Sequence, residues 1–281
     1  MNIRLKIAGV VVIAVCVATL FVYSFSVSSS VLRVWFLDVG QGDAALIQAP
    51  DLQQILIDGG PGKQVLRELG SVLPFWDTTI DTIILTHADS DHSAGLLPVL
   101  DIYTVTRIID PGVSSDGELY TELRQRAEEK NVQWIYARAG QVIDLGGGVV
   151  LRIIFPDRNV SDVETNIGSV VARLEYGETE FLFTGDSPKQ IEEYLVGVRK
   201  NYLHADVLKV GHHGSRTSTG QEFLNAVSPL YAVISAGKDN KFGHPHKEVV
   251  DELLAGHINI LETFARGTIE FVSDGKTVNV E

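Results

Sequence analysis

The densest set of metal-binding side chains lies in residues 86–92, Thr-His-Ala-Asp-Ser-Asp-His. His87, Asp89, Asp91 and His92 follow directly on the apolar run Thr-Ile-Ile-Leu-Thr at 82–86. A loop that leaves the end of a buried strand can direct several side chains to one point, and imidazole with carboxylate suits zinc, manganese or iron(II). A solvated helix-capping turn is the ordinary alternative, but it does not require four such residues so close together. The cluster therefore predicts a metal site.

These residues resemble the signature His-x-His-x-Asp-His of the metallo-β-lactamase superfamily, and the resemblance extends over nearly all of residues 31–281. It implies a hydrolase that holds two divalent ions, zinc or manganese. Asp89 stands where the signature has its second histidine. Because a carboxylate is a harder ligand than an imidazole, this replacement favours manganese or mixed occupancy over zinc alone.

By the same resemblance, Asp186 in Phe-Thr-Gly-Asp would bridge both ions, although it could instead cap the helix after Pro188. One of His212 and His213 would be a ligand. We favour His213, with His212 near the leaving group, and either could be merely structural. The implied ligand set has six members: His87 and Asp89 for the first ion, Asp91, His92 and His213 for the second, and Asp186 for both.

Three residues would support the ions without completing the ligand set. Asp58 in Leu-Ile-Asp-Gly-Gly resembles the buried carboxylate that orients the metal-binding loop, although an Asx turn would also place Asp before two glycines. Asn166 stands where the superfamily supplies another histidine, so the first ion would be weakly held or Asn166 would contact the substrate. His244 in Gly-His-Pro-His could bind the substrate or transfer a proton, whereas His246 is expected at a helix N-terminus or on the surface.

Two close divalent ions would activate a water molecule as the nucleophile. The resemblance implies that Asp91, His212 and His244 take part in catalysis. Lys209, Ser215 and Thr217 could bind a phosphate group of the substrate. An ordinary exposed loop is an equally good interpretation of these last three residues.

Several short motifs narrow the resemblance to one group within the superfamily, among them Leu-Asp-Val-Gly-Gln-Gly-Asp at 37–43 and His-His-Gly-Ser at 212–215. Together they are similar to the hydrolase domain of ComEC-type competence DNA-uptake proteins, which implies a phosphodiesterase or nuclease acting on DNA.

The formal net charge is −13, and −15 without Arg4 and Lys6, the only charges in residues 1–27. This negative net charge argues against a broad basic surface for DNA. It favours instead a small ester, lactone or phosphorylcholine-type substrate. A metal-stabilised binding module without catalysis is the third interpretation.

Short β-rich runs alternate with amphipathic stretches throughout residues 31–281, which we interpret as one domain. Two β-rich halves flanked by helices predict an α/β fold of the αββα sandwich type. The predicted strands are 31–39, 44–49, 53–58, 82–86, 107–112, 132–137, 149–156, 169–177, 179–186, 205–211 and 230–237, before a final hairpin. The predicted helices are 63–73, 96–100, 117–130, 188–199, 220–227 and 246–255.

Residues 7–27 contain no charged side chain and could cross roughly 30 Å of hydrocarbon as one helix. Arg4 and Lys6 precede this run, so the positive-inside rule places the N-terminus in the cytoplasm and the catalytic domain outside it. We therefore interpret residues 1–30 as a single-pass membrane anchor and linker. A cleaved signal peptide, which would give a secreted protein, and lipidation of Cys16 are the alternatives.

Overall fold

The computed structural model describes residues 9, 11–16, 19 and 31–281. Residues 9, 11–16 and 19 are helical. Among the described residues, no helix has both the length and the apolar character needed to cross a bilayer. The predicted membrane span over 7–27 lies mostly outside the described residues.

Fifteen strands form two sheets in residues 31–281. The first sheet contains β1 (Leu32–Phe36), β2 (Ala45–Gln48), β3 (Gln54–Ile57), β4 (Thr79–Ile84), β5 (Thr104–Asp110), β6 (Gln133–Tyr136), β14 (Ile269–Ser273) and β15 (Val278–Val280). Its spatial order is β15-β14-β1-β2-β3-β4-β5-β6. Strands β1 to β3 form the predicted antiparallel meander, and β3 to β6 are parallel.

The second sheet contains β7 (Val142–Asp144), β8 (Val149–Phe155), β9 (Val171–Tyr176), β10 (Thr179–Phe183), β11 (Val207–Lys209), β12 (Tyr231–Ile234) and β13 (Asn259–Glu262). They lie in the order β13-β12-β11-β10-β9-β8-β7. Strands β10 to β13 are parallel, and β7 to β10 are antiparallel.

The helices of residues 31–281 are α1 (Gln64–Val72), α2 (Ser90–Ser93), α3 (Leu96–Ile102), α4 (Glu118–Glu129), α5 (Lys189–Arg199), α6 (Gln221–Val227), α7 (Lys247–Ala255) and α8 (Thr263–Arg266). Three hydrophobic cores define the layers. Side chains of both sheets, such as Phe36 and Phe183, pack against each other in the centre. Helices α1, α3 and α4 cover the outer face of the first sheet, and α5, α6 and α7 cover that of the second. The predicted αββα arrangement of two sheets is confirmed.

Five of the predicted helices, 63–73, 117–130, 188–199, 220–227 and 246–255, agree with the structure to within one residue at each end. The strand predicted at 82–86 instead runs from Thr79 to Ile84. Strands β7 and β13 were not predicted, because three or four residues are too few to show an alternating pattern.

One edge of the sandwich collects the chemically active loops. Strands β3, β4, β10, β11 and β12 all end there, and we call it the carboxyl edge. Asp58 follows β3, the His87 to His92 loop follows β4, Asp186 follows β10, and His213 follows β11. Parallel strands whose ends coincide bring residues that are distant in the chain together.

Candidate metal centre

The carboxylate of Asp186 lies among four histidine rings. Its oxygens are 3.8 Å from Nε2 of His87, 3.4 Å from Nε2 of His92, 3.6 Å from Nε2 of His212 and 3.5 Å from Nε2 of His213. The structure therefore brings together residues from the loops after β4, β10 and β11. It also places Asp186, the residue that we expect to bridge two ions, at the centre of the four histidines.

Asp58 fixes the two histidines of the first loop. Its Oδ2 is 2.8 Å from Nδ1 of His92, and it accepts the hydroxyl hydrogen of Thr86 at 2.7 Å, while the backbone N–H of Thr86 donates to Oδ1. Because the Thr86 hydroxyl donates to Asp58, Nδ1–H of His87 must donate to Thr86 Oγ1, 3.0 Å away. Both imidazoles therefore turn Nε2 toward Asp186. These hydrogen bonds agree with the orienting role that we expect for Asp58, which stays a prediction.

His213 is fixed by a carbonyl group and a carboxylate. Its Nδ1 donates to the carbonyl oxygen of Ser235 at 2.9 Å and lies 3.2 Å from Oδ1 of Asp43. The backbone at His212 and His213 adopts φ of 49° and 55°, a left-handed conformation that is strained in residues other than glycine. This conformation turns both rings toward Asp186.

Asp43 is a residue of the site that was not expected from the sequence. Asp43 is buried, its Oδ2 lies 2.7 Å from Nζ of Lys209, and its N–H donates to the carbonyl oxygen of Asp91. A side chain on Gly42 would overlap that carbonyl oxygen, so glycine is required there. The only sequence signal for Asp43 was its place at the end of Gly-Gln-Gly-Asp, which also fits a plain turn.

Lys209 does not occupy the place expected for a substrate-binding residue. It is 4% exposed, and its ammonium group binds Asp43 and donates to the carbonyl oxygen of Val210. The expectation that Lys209 contacts a phosphate is corrected, because a buried charge needs a buried counter-charge and this lysine has one.

Ser215 and Thr217 contact His212. Thr217 Oγ1 donates to Ser215 Oγ at 2.9 Å, so Nδ1–H of His212 donates to Thr217, 3.0 Å away. Ser215 is buried, whereas Thr217 is exposed. Both residues therefore orient His212, and Thr217 alone also faces solvent.

The two aspartates of the first loop lie nearer to solvent. Asp91 Oδ2 is 3.4 Å from Nε2 of His213, and Asp89 Oδ2 is 3.8 Å from Nε2 of His87. Their side chains are 30% and 44% exposed. Each aspartate thus reaches the histidine with which we expect it to share an ion, from the open side of the site.

Asn166 and His244 lie on the two remaining segments predicted for the site. Asn166 begins a short 3₁₀ turn, and its Oδ1 is buried without a hydrogen-bond partner in the described part of the chain. The His244 ring is 5.6 Å from the His212 ring, and its Nδ1 is likewise enclosed and unpartnered among the described residues. His246 is the N-cap residue of α7, and its Nδ1 accepts the N–H of Arg216.

Residues 37–238 match the Metallo-beta-lactamase superfamily. The chain belongs to this superfamily. ComE operon protein 3 of Bacillus subtilis (strain 168) is 32% identical over 273 residues, 91% of this chain and 35% of that protein. Competence protein ComA of Neisseria gonorrhoeae is 31% identical over 248 residues, 87% of this chain and 32% of that protein. The resemblance to competence proteins is confirmed, and the chain spans about a third of their length.

The fold also resembles a solved structure of the superfamily. The metallo-beta-lactamase fold protein YhfI from Bacillus subtilis superimposes with a TM-score of 0.54 at 14% identity, over 82% of this chain and 95% of that one. At this identity the likeness shows a shared fold alone.

The electrostatics of the site are those of an anionic centre with buried imidazoles. Burial, with a smaller effect from His92, lowers the pKa of His87 to about 4. Burial acts in the same direction on His92 and His213, but Asp186 and other carboxylates outweigh it: the pKa of His92 rises well above its usual value and that of His213 to about 9. Against its own burial, the positive histidines hold the pKa of Asp186 well below its usual range. The carboxylates therefore attract positive charge into this site.

The donor set fits a metal of the kind that the superfamily binds. Nε2 of His87 and Oδ1 of Asp186 are buried without hydrogen-bond partners among the described residues. Potential donor atoms of His92, Asp186 and His213, together with an oxygen of the supporting Asp43, all lie within 4.8 Å of one another. Each imidazole donates its Nδ1–H to a fixed acceptor, as metal-binding histidines do.

Proposed function

We propose that the protein is a metal-dependent phosphodiesterase, and that DNA is its substrate. The observation that carries this proposal is the carboxylate of Asp186 within 3.8 Å of the Nε2 atoms of four histidines. Convergent nitrogen and carboxylate donors of this kind suit a pair of divalent ions.

The ligands would be those expected from the sequence. His87 and Asp89 would hold the first ion, Asp91, His92 and His213 the second, and Asp186 both. Such ions, zinc or manganese, would supply a reactive hydroxide at neutral pH and stabilise the leaving oxygen of a phosphoryl displacement.

His212 and His244 would handle the substrate at the open side of the site. Burial and the neighbouring histidines lower the pKa of His244 to about 4, so the ring is neutral at neutral pH. A neutral imidazole can donate one N–H to a phosphoryl oxygen without adding charge. His212, 27% exposed, lies between His244 and Asp186 and could contact the leaving group.

The surroundings of His244 support a phosphodiester substrate. Lys238 and Lys241 are exposed close to it in the chain, although the protein as a whole is acidic. Arg216 is also exposed nearby, and its guanidinium group lies 3.7 Å from the carboxylate of Glu248. Phe242 stacks on His244 with ring centroids 5.6 Å apart and remains half-exposed. Cationic side chains beside an exposed aromatic ring are the usual elements of single-strand recognition.

We also propose that residues 7–27 anchor the protein in the cytoplasmic membrane and that the catalytic domain lies outside the cytoplasm. The support is the length of the uncharged run and the two positive charges before it. Mass analysis of the protein recovered from membranes would reveal an N-terminus at Met1 if the run is retained, and a truncated chain if it is cleaved.

The function is tested by incubating the full chain with single-stranded DNA and, separately, with bis(p-nitrophenyl) phosphate, each with manganese and with zinc. We expect cleavage of both substrates by the protein and background rates for Asp186→Asn. Glu128→Gln, which alters an exposed carboxylate at the end of α4, before the start of β6 at the edge opposite to the site, is the matched control and should retain full activity.

Each other outcome has a definite meaning. Cleavage of the model phosphodiester but not of DNA would favour the small substrate that the −15 balance suggests. Metal binding without hydrolysis of either compound would favour a binding module. Equal rates for the protein and Asp186→Asn would end the proposal.

A further inference from the structure

Two aromatic side chains project from a turn just before β4. Phe75 is 91% exposed and Trp76 is 63% exposed. The turn is closed by the N–H of Asp77, which donates to the carbonyl oxygen of Pro74 at 2.9 Å, and the two rings meet edge to face at 4.9 Å. A fixed turn that holds two large aromatic rings outside the protein indicates that they meet another surface.

Neighbouring loops extend this surface. Leu52, before β3, is 44% exposed, and Ile102, before β5, is 59% exposed. Strands β3, β4 and β5 are adjacent and parallel, so their first residues lie at one edge, about 4.8 Å apart from strand to strand. We call Leu52, Phe75, Trp76 and Ile102 the apolar row. It lies at the edge of the sheet opposite to the carboxyl edge.

The chain enters the domain at this same edge. Strand β1 runs parallel to β3, because both are antiparallel to β2, so Leu32 lies at the same edge of the sheet as the starts of β3 and β4. Three strand spacings, about 14 Å, separate β1 from β4. Only residues 28–31 stand between the uncharged run 7–27 and Leu32, and four residues reach at most about 14 Å.

We propose that the apolar row lies in the interfacial region of the bilayer that receives residues 7–27, so that the metal centre faces away from the membrane. Tryptophan and phenylalanine favour that region, where one side of the ring is apolar and the other is wet. Asp101 beside the row is paired with Arg126, whereas Asp77 accepts a hydrogen bond from the neutral amide of Gln54 and keeps its charge. Phosphatidylcholine carries no net charge and does not repel this carboxylate, so it is the surface we expect the row to meet. This inference rests on the proposed membrane anchor and not on the proposed hydrolysis.

Tryptophan fluorescence tests the proposal without any measurement of activity. The full chain is reconstituted into phosphatidylcholine vesicles whose acyl chains carry bromine, a quencher that acts only at short range. We expect strong quenching in the wild-type protein and loss of most of it in Trp76→Phe. Trp134→Phe is the matched control, because Trp134 packs under Tyr120 and Arg124 of α4, and it should retain the quenching.

A second reporter tests the opposite edge. Tyr136 ends β6 at the carboxyl edge and is 51% exposed. Tyr136→Trp in the Trp76→Phe background should be quenched by aqueous iodide and not by brominated lipid. Equal bromine quenching in wild type and Trp76→Phe would overturn the proposal, as would failure of the chain to remain with the vesicles. If Trp76 is shielded from iodide but unaffected by bromine, protein rather than lipid covers the row, and the proposal is wrong.

Discussion

The two halves of the candidate metal centre differ in the groups that support their histidines. In the half expected to hold the second ion, His92 and His213 are buried, and both have a carboxylate beside Nδ1: Asp58 for His92 and Asp43 for His213. In the other half, His87 is equally buried, but within residues 31–281 the partner of its Nδ1 is the neutral hydroxyl of Thr86 and not a carboxylate. Since a carboxylate behind an imidazole orients it and raises its basicity, the second half should bind its ion more tightly.

The other residues expected near the first ion also favour weaker binding of that ion. Asp89 is 44% exposed, and the segment that supplies a histidine elsewhere in the superfamily supplies Asn166 here. A two-metal site with unequal halves is expected to fill in sequence, the second half first.

Removing one imidazole from each half in turn should give the largest difference in zinc affinity between two variants. His213→Gln should weaken the tighter ion by more than about 100-fold, because even loss of a residue that only orients a ligand costs about 10–100-fold. His87→Gln should leave that ion in place and remove only the weaker one. Zinc titration calorimetry against a competing chelator measures both constants, and equal losses in the two variants would refute the inequality.

The stability of the segment that follows His213 should depend on pH through Glu192. This buried carboxyl accepts the N–H groups of Thr219 and Gly220 at 2.6 and 2.8 Å, and burial raises its pKa from 4.5 to about 7. A folded pKa above the unfolded one stabilises the fold at low pH, and that stabilisation is lost as the pH rises through about 7. Between pH 5 and pH 8 the loss should be about 2–3 kcal/mol, at 1.36 kcal/mol for each pKa unit.

Urea unfolding at pH 5 and pH 8 measures this contribution. Glu192→Gln keeps one carbonyl oxygen, which can accept one of the two N–H groups, and it cannot titrate. Its stability should therefore be lower overall but should change less between the two pH values than that of the wild type. The difference between the proteins isolates Glu192 from the other titrating groups. If both proteins change by the same amount, Glu192 does not make this half of the centre sensitive to pH.

Asp43 should contribute to the tighter half through His213. Asp43→Asn is expected to weaken the second ion by about 10–100-fold, as removal of such a supporting carboxylate does at other metal sites. The substitution also leaves Lys209 buried without its counter-charge, so Asp43→Asn/Lys209→Met must be compared with it.

Incomplete recovery of zinc affinity in the double variant would show that Asp43 acts on His213. Full recovery would show that Asp43 only neutralises Lys209. Asp110→Asn is the control, because Asp110 is an equally buried carboxyl, bound to Tyr120 at the end of β5. It should lower stability and leave zinc affinity unchanged.

Asp43 also illustrates how far the sequence could predict this site. His87 and Asp186 were recognisable because each follows an apolar run that ends in a strand, and His92 because it belongs to the same dense cluster as His87. Asp43 lies in a glycine turn that would look the same on a protein surface, and Lys209 looks like a cation open to substrate. Asp43 and Lys209 are buried as a pair because the two sheets pack together. A short stretch of sequence cannot predict that packing. The left-handed backbone at both His212 and His213 likewise has no signal in the sequence, so alternation along β11 could not choose between them.

The smallest expected effect comes from improving the weaker half. Asn166→His restores the residue type that the superfamily has in this segment, and we expect zinc affinity of the first half to rise by about tenfold, the lower end of what a supporting residue contributes. The second ion should not change, because its histidines and carboxylates are untouched. Asn159→His, on an exposed position of the same segment, is the matched control. Zinc and manganese titrations should show the gain for zinc alone, since imidazole favours the softer ion. An unchanged first constant would mean that Asn166 does not face the ion, and that the weakness of this half comes from Asp89 and from the neutral partner of His87.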